Sequence, residues 1–293
     1  MSSTRSAFRF LDRLRVRWSE VDLQQIVFNG HYLMYFDTAV AGYWRALALP
    51  YHETMAALQG DLYVRKATLE YEASARYDEQ LAVGIRCARI GTSSMVFEAA
   101  VFRGEQRLVH GELVYVFADP ATQTSRPVPP LLRDWLLGYE AGEAVVTVQT
   151  GDWATLGAAS RGLRQAVFAD ELGAPAAAVD DAADAQAVHA VAFNRAGLPL
   201  ATGRLLATAE GKGPVDQIGR IGRMATEPAM RGAGFGQALL AALAAASRAR
   251  GDHALVLNAA PGAVPFYARA GFAPTGAVHH EAGVAHIEMR RLP

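Results

Sequence analysis

Hydrophobic and polar positions change rhythm several times along the chain. "FLDRLRVRWSE", residues 10–20, alternates apolar and polar, the period of a half-buried strand. In "VDLQQIVFNGHYLMYFDTAVAGYWRALAL" the spacing switches. Leu33, Phe36, Val40, Trp44 and Leu47 recur at three and four residues and predict one long helix with a buried stripe. Asp37 falls on that stripe, where a carboxylate is costly unless paired, and a structural role is expected for it. Four extended runs follow, "DLYVRKATLEYEASARY", "EQLAVGIRCARIG", "SSMVFEAAVFRG" and "EQRLVHGELVYVFAD", parted by turn signals such as "RYDEQ" and "RGEQR". A first strand, one long helix and four more strands predict an α+β layer, a five-stranded antiparallel sheet wrapped on a helix.

Near residue 140 an aromatic-rich half gives way to one crowded with Ala and Gly. Pro127, Pro129 and Pro130 end what precedes them, and "PLLRDWLLG" reads as a short helix closed by Gly138. "YEAGEA" reads as a linker and "VVTVQT" as a new strand, so two domains are expected, 1–142 and 143–293. In the second, "DWATLGAASRGLRQAVFADELG" predicts a helix ending near Gly173. "AVHAVAFNRAGLPLATGRLLATAEG" predicts a hairpin turning at Asn194 to Gly197, and "DQIGRIGRMATEP" a third strand. A glycine loop and helix, the strand "DHALVLNAA", the short helix "AVPFYARAGF" and a closing hairpin "APTGAVHHEAGVAHIEMRR" complete it. Strands alternating with helices argue an α/β three-layer domain.

Composition narrows the function classes. With 293 residues, 51% of them hydrophobic, each half can bury a core. A net charge of −1 offers no global attraction to nucleic acid or to an anionic membrane. The single cysteine, Cys87, excludes an internal disulfide and lies in an alternating run, so it is expected as a strand residue in a reducing compartment. No apolar run reaches the ~18 residues of a membrane span, and "MSSTRSAFRF" lacks the apolar core of a signal peptide. A soluble, cytoplasmic protein without a metal site is expected.

Candidate chemistry in the first half centres on a lone acid, Asp22, just ahead of the long helix. Hydrolysis at an acyl carbonyl needs oxyanion stabilisation together with a base for water or a carboxylate nucleophile. A helix N-terminus can supply the first and Asp22 the second; the alternative for Asp22 is an ordinary loop or capping aspartate. "VRWSEVDLQQIVFNGHYLMYFDTA" resembles the start of the hotdog-fold thioesterases of the 4-hydroxybenzoyl-CoA thioesterase-like group, and the resemblance extends over roughly residues 8–138. It implies that Asp22 is the catalytic aspartate and that Asn29 stands where relatives carry His or Asn. The amides around Gly30, His31 and Tyr32 would polarise the thioester carbonyl. It also implies a homodimer or homotetramer. Relatives often carry Gly between the Asp and the following "VVF", where this chain has Gln24-Gln25, so a differently shaped loop is expected. His31 reads as a helix-start residue and His110 as a mid-strand residue facing solvent.

In the second half, "PAMRGAGFGQALLAALAAASRARG" places Gly232, Gly234 and Gly236 just ahead of a helix of strong helix formers. From the glycines alone two readings stand: an anion cradle of backbone amides at the helix's positive end, or a loop that needs positive φ for steric reasons. The spacing fits neither a Rossmann fingerprint nor a P-loop. It resembles the acetyl-CoA loop of the GNAT acetyltransferases at Arg231, Gly234 and Gly236, and "PFYARAGF" resembles a second GNAT signature, over roughly residues 145–292. That resemblance implies a CoA pyrophosphate held by the amides of Gly232, Ala233, Gly234, Phe235, Gly236 and Gln237, with Arg231 adding charge. Met224, Ala225 and Thr226 would offer backbone groups to the pantetheine, with Asn258 near its acetyl end. Tyr267 would protonate the departing thiolate, its alternative being an aromatic packed on the sheet. Glu171, His189 and His286 are candidate bases, each with a structural alternative.

The expectation is a bifunctional enzyme: acyl-CoA thioester hydrolysis by the first domain, and acetyl transfer from acetyl-CoA to an amine by the second. CoA esters serve as substrates. Two alternatives stand beside it. One has a single catalytic domain and a second that only binds CoA, as a sensor or dimerisation module; the other is a non-catalytic ligand-binding scaffold.

Overall fold

The structure, a computed structural model, describes residues 4–209, 217–276, 278–281 and 284–292. The chain divides into two compact units, Met1–Val145 and Val146–Pro293. No described helix is long and apolar enough to cross a membrane.

In the first unit, β1 (Phe10–Arg15) is followed by α1 (Asn29–Ala46) and a short α2 (Tyr51–Ala57). Then come β2 (Asp61–Tyr71), β3 (Gln80–Ile90), β4 (Ser94–Arg103), β5 (Gln106–Ala118) and α3 (Pro130–Glu140). The five strands form one antiparallel sheet in the order β1-β3-β4-β5-β2, which leaves β2 at an edge. Helix α1 buries Phe36, Val40 and Trp44 as expected, with Leu47 buried just past its end, but Tyr32, Tyr35, Ala39 and Tyr43 complete its buried face. Three of these are tyrosines, whose rings fill the core while each hydroxyl finds a hydrogen-bond partner. Leu33 is 41% exposed, and Asp37 is exposed as well. The expected stripe is thus corrected at both positions, and Asp37 needs no buried partner.

Helix α2 was not anticipated; it starts directly after Pro50. Helix α3 does not stop at Gly138. Its last turn stays helical because Tyr139 is buried and Glu140 accepts hydrogen bonds from the Tyr43 hydroxyl and from the Cys87 N–H (2.9 Å). Gly142, at φ +90°, follows the helix end. Cys87 lies in β3 as expected; burial, then the nearby Glu140, pushes its thiol up to about 12. His110 does not simply face solvent: it is half-buried, with its ring nitrogens 3.3 Å from Glu70 and 3.1 Å from Glu72.

The second unit runs β6 (Val146–Gly151), α4 (Trp153–Arg164), a π turn (Gln165–Glu171), β7 (Val188–Asn194), β8 (Pro199–Ala209) and β9 (Gln217–Thr226). It continues with α5 (Phe235–Arg250), β10 (Leu255–Ala259), α6 (Val264–Arg269), β11 (Ala273–Pro274), β12 (His279–Glu281) and β13 (Val284–Arg291). Asp216, with which the third predicted strand opens, and Ala282–Gly283 in the closing hairpin lie outside the described residues. The sheet order is β11-β13-β10-β9-β8-β7-β6, with β12 beside β13. Only β9 and β10 run parallel among its named pairs. Successive side chains of a strand point to opposite faces. Thr202 in β8 donates a 2.9 Å hydrogen bond to Ser160 of α4, whereas a Cβ on the next residue, Gly203, would come within 3.0 Å of Leu243 of α5. The sheet is therefore sandwiched between α4 and α5, the expected three layers.

Candidate active sites

In the first unit the chain between β1 and α1 is folded by its own backbone. Val21 and Val27 form an antiparallel bridge, and the Asp22 N–H donates to Ile26 O (2.9 Å) while the Gln25 N–H donates to Asp22 O (2.9 Å). Gln25 takes φ +61°, the left-handed region that glycine enters freely. The turn therefore forms without the glycine that relatives often carry. Asp22 is half-buried and accepts a hydrogen bond from the Gln24 N–H (2.8 Å). Among the described residues no cation pairs with it.

A residue that the sequence analysis missed brackets this loop. Glu20 is 4% exposed; its carboxylate accepts hydrogen bonds from the Arg17 N–H (2.8 Å), Arg17 Nε (2.7 Å) and the Tyr35 hydroxyl (2.7 Å). Its backbone carbonyl accepts from the Phe28 N–H (3.0 Å), the residue that caps α1. Burial opposes ionisation of Glu20, but these donors outweigh it and hold its carboxyl below the usual range. Only the apolar residues that follow "WSE" hinted that this acid would be enclosed.

Helix α1 starts at Asn29 with no side-chain cap, and among the described residues the Asn29 and Gly30 N–H groups have no acceptor, whereas the His31 N–H donates to the Phe28 carbonyl (2.9 Å) and is not the oxyanion donor expected. An open cleft of about 510 Å³ borders this end. Its lining brings together Asp22, Leu23, Asn29 and Tyr32 with Tyr71 and Ser74. The Tyr32 hydroxyl is already committed, accepting from the Ala75 N–H (2.9 Å), and Tyr71 donates to the Asn29 carbonyl (3.1 Å). Gly30 and His31 share the first turn but do not line the cleft. At Gly30 a Cβ would lie 3.0 Å from the Phe28 ring, and the His31 ring stands edge-on to the same phenyl. A carboxylate and a helix N-terminus on one cleft can together deprotonate or attack and stabilise the resulting oxyanion.

In the second unit, hydrogen bonding between β9 and β10 stops at Ile221 opposite Leu257. Beyond that pair the β9 edge of Met224, Ala225 and Thr226 faces no partner strand on the β10 side, and Asn258 stands on the other lip of the opening. Against β8, β9 carries a bulge: Arg223 and Met224 together oppose Gly203, with the ladder regular at Ala225 opposite Thr202 and Gly222 opposite Arg204.

The loop after β9 has Gly232 at φ +84° and Gly234 at φ +90°, where an added Cβ would meet nothing within 4 Å. Backbone conformation, not crowding, requires glycine at both positions. Gly234 caps α5, and its carbonyl accepts from the Gln237 and Ala238 N–H groups (3.1 Å each). Among the described residues the N–H groups of Gly232, Ala233 and Gly234 have no acceptor. Gly236 differs, since its Cβ would sit 3.3 Å from Phe266 of α6, so it permits helix packing; Phe235 is buried beneath the loop. Arg231 is held by Glu171 of the π turn in a two-point ion pair (2.7 Å from Nη1). The guanidinium keeps the Glu171 carboxyl below the usual range, which argues against Glu171 as a base.

Tyr267 is 8% exposed, packed edge-on to Phe266 and Phe272, and burial pushes its hydroxyl up to about 12. It stays protonated at neutral pH, as a proton donor must. His189 is fully buried between Arg164 and the Asp184 carbonyl, and burial holds it neutral, a structural position. His286 pairs with His279 across β12 and β13.

Comparisons with known proteins fall on the same two units. Residues 24–110 match the Thioesterase superfamily and residues 179–293 the Acetyltransferase (GNAT) domain. The first match opens two residues after Asp22. The acyl-CoA thioester hydrolase YbgC of Escherichia coli is 27% identical over 120 residues, 40% of this chain and 87% of its own length. A solved structure described as a "putative N-acetyltransferase" from Lactobacillus plantarum is 29% identical, covering 51% of this chain and 99% of its own, with a TM-score of 0.45. The PA5185 protein of Pseudomonas aeruginosa is 28% identical over 46% of this chain and 94% of its own, with a TM-score of 0.41. The chain joins a thioesterase-superfamily hotdog domain to an acetyltransferase domain of the GNAT family.

Proposed function

We propose that the chain acts on CoA esters at both sites. In the first domain Asp22 serves as base for water, or as nucleophile, at the thioester carbonyl. The developing oxyanion is met by the first amides of α1, at Asn29 and Gly30, the C–S bond breaks to release CoA thiol, and water, activated by Asp22 or attacking the Asp22 acyl adduct, leaves the acyl group as a carboxylate. The observation that carries this reading is the shared cleft, lined both by Asp22 and by Asn29 at the uncapped start of α1.

In the second domain the amides of residues 232–236, backed by the α5 dipole, hold the CoA pyrophosphate, the expected Gln237 amide being committed to the Gly234 carbonyl, and the open β9 edge from Met224 to Thr226 pairs with pantetheine amides. An amine attacks the acetyl carbonyl, and Tyr267 gives its proton to the departing thiolate. The parting of β9 from β10 and the two positive-φ glycines support it. Arg231 would exchange Glu171 for the pyrophosphate or serve both.

The hotdog domain would act as a homodimer or homotetramer. Edge strand β2 is largely exposed over eleven residues, including Val64 and Tyr71, and Leu33 and Met34 are exposed on α1; such an apolar edge invites a second copy.

The test is a panel of acyl-CoA esters, with and without amines, with thiol release as the readout on the full chain. Asp22→Asn is expected to cut amine-independent hydrolysis on the order of 10²-fold or more, the usual scale for one base, and to leave amine-dependent release intact. Near-normal hydrolysis by this variant, correctly folded, would sink the assignment of Asp22. Amine-dependent release that never exceeds the amine-free rate would leave the second domain a CoA-binding module.

A further inference from the structure

Arg223 is the one described non-glycine residue of the second unit with positive φ, +54°. It occupies the bulge of β9, immediately before Met224, Ala225 and Thr226. A side-chain-bearing residue persists in that region only where its surroundings over-determine it. Here they do. The Arg223 guanidinium donates from Nη2 to Asp181 Oδ2 (2.8 Å) and to the Ala177 carbonyl (2.6 Å). Asp181 is gripped in turn by Arg204 of β8, Nη1 to Oδ1 (2.7 Å) and Nη2 to Oδ2 (2.9 Å). Arg204 stands opposite Gly222, the last regular pair before the bulge. One carboxylate thus ties together the two strands that the bulge separates.

The clamp is itself anchored. Asp181 accepts from the Ala183 N–H (3.0 Å), and Asp184 accepts from the Asp181 N–H (3.0 Å). Asp184 pairs at 2.9 Å with Arg164 of α4, both fully enclosed. The paired guanidiniums, Arg204 first and Arg223 after it, outweigh burial and keep the Asp181 carboxyl well below the usual range. Within the bulge, the Met224 side chain fills the space above Gly203, where a Cβ would come within 2.4 Å of its sulfur. The bulge therefore determines which way the Met224–Thr226 edge points.

We propose that Asp181 is a positioning residue for acetyl-CoA: by holding Arg204 and Arg223 together it sets the β9 bulge, and with it the backbone edge that receives the pantetheine arm. The proposal rests on the reading of Met224–Thr226 as that edge.

The experiment measures acetyl-CoA affinity by calorimetry, and KM against kcat for transfer, on the full chain. Asp181→Ala is expected to weaken acetyl-CoA by about tenfold or more, the scale of a charged hydrogen bond lost, with kcat at saturation changed far less. Backbone amides of Met224–Thr226 should exchange faster in this variant. Adding Arg223→Gly should restore most of the affinity, because glycine adopts the bulge conformation unaided. Asp181→Asn, which keeps the size, serves if the alanine variant does not fold.

Several results would overturn the proposal. One is an Asp181 variant that binds acetyl-CoA like wild type. Another is a weakened variant that Arg223→Gly does not restore, because Asp181 would then only stabilise the domain. A wild-type chain that binds no acetyl-CoA overturns the cofactor reading itself, and the proposal with it.

Discussion

The Tyr35 hydroxyl, on the buried face of α1, donates a 2.7 Å hydrogen bond to Glu20, two residues ahead of Asp22. Helix and loop are joined at this point, so the placement of Asp22 relative to the start of α1 depends on a pair that makes no contact with the cleft.

Removing the charge should therefore be costly. Glu20→Gln is expected to destabilise the first domain by about 1.5–3 kcal/mol at neutral pH, the range for hydrogen bonds to a charged group. The pH dependence has a definite sign. The folded carboxyl lies below its unfolded value, so its contribution is full above the ordinary glutamate range near ~4.3 and is lost as pH falls through the folded value. Wild type should lose stability on acidification more steeply than Glu20→Gln. Parallel curves in thermal melts from pH 7 to 3 would contradict this.

Gln25 sits at φ +61° in an exposed turn. Relieving left-handed strain gains about 1–2 kcal/mol, and glycine loses about 0.5–1 kcal/mol through the entropy of the unfolded chain. Gln25→Gly should stabilise the first domain by about 0.5–1 kcal/mol. A denaturant midpoint lower than wild type would show that the Gln25 side chain has a contact worth more than the strain.

Gly234→Val places a branched side chain at φ +90°, where nothing crowds it but the backbone resists it. Acetyl-CoA binding should collapse while hydrolysis at the first site persists. Tyr267→Phe should do the reverse within the second domain, leaving affinity nearly unchanged and slowing transfer. Calorimetry alongside steady-state rates separates the two. Acetyl-CoA bound equally well by Gly234→Val would return the loop to a purely steric role.

Association through the β2 edge predicts a dimer or larger species in sedimentation at micromolar concentration. The double variant Leu33→Asp with Val64→Lys should shift it toward monomer and reduce hydrolysis together with it. A monomeric wild type with full hydrolysis would leave the first site complete within one chain.

Much of this architecture was legible in the sequence because it is written in periodicity. The long helix and the glycine loop fall where the spacing puts them, and the strand runs do so in part: β1 stops at Arg15, with Trp18–Glu20 in a 3-10 turn, and β2 stops at Tyr71. The misses have physical causes. Tyr32, Tyr35 and Tyr43 were passed over as core because their hydroxyls need partners that are distant in sequence: Ala75, Glu20 and Glu140. The same long-range contact with Glu140 carries α3 past Gly138. The two glycines of the α5 loop announced positive φ, whereas Gln25 adopts it within a locally hydrogen-bonded turn and Arg223 under tertiary constraint, and neither carries such a signal. The "DDAAD" segment does show a capping pattern at Asp181 and Asp184, but nothing in it points to Arg204 or Arg223.

The enclosure of Cys87 makes this chain convenient to assay. It is the sole cysteine, 6% exposed, and its thiol is pushed up to about 12. A chromogenic disulfide reagent reacts with thiolate, and the native protein offers almost none near neutrality. Colour developed during turnover therefore counts liberated CoA without a protein blank, and slow late colour in the absence of substrate would report the hotdog core coming open.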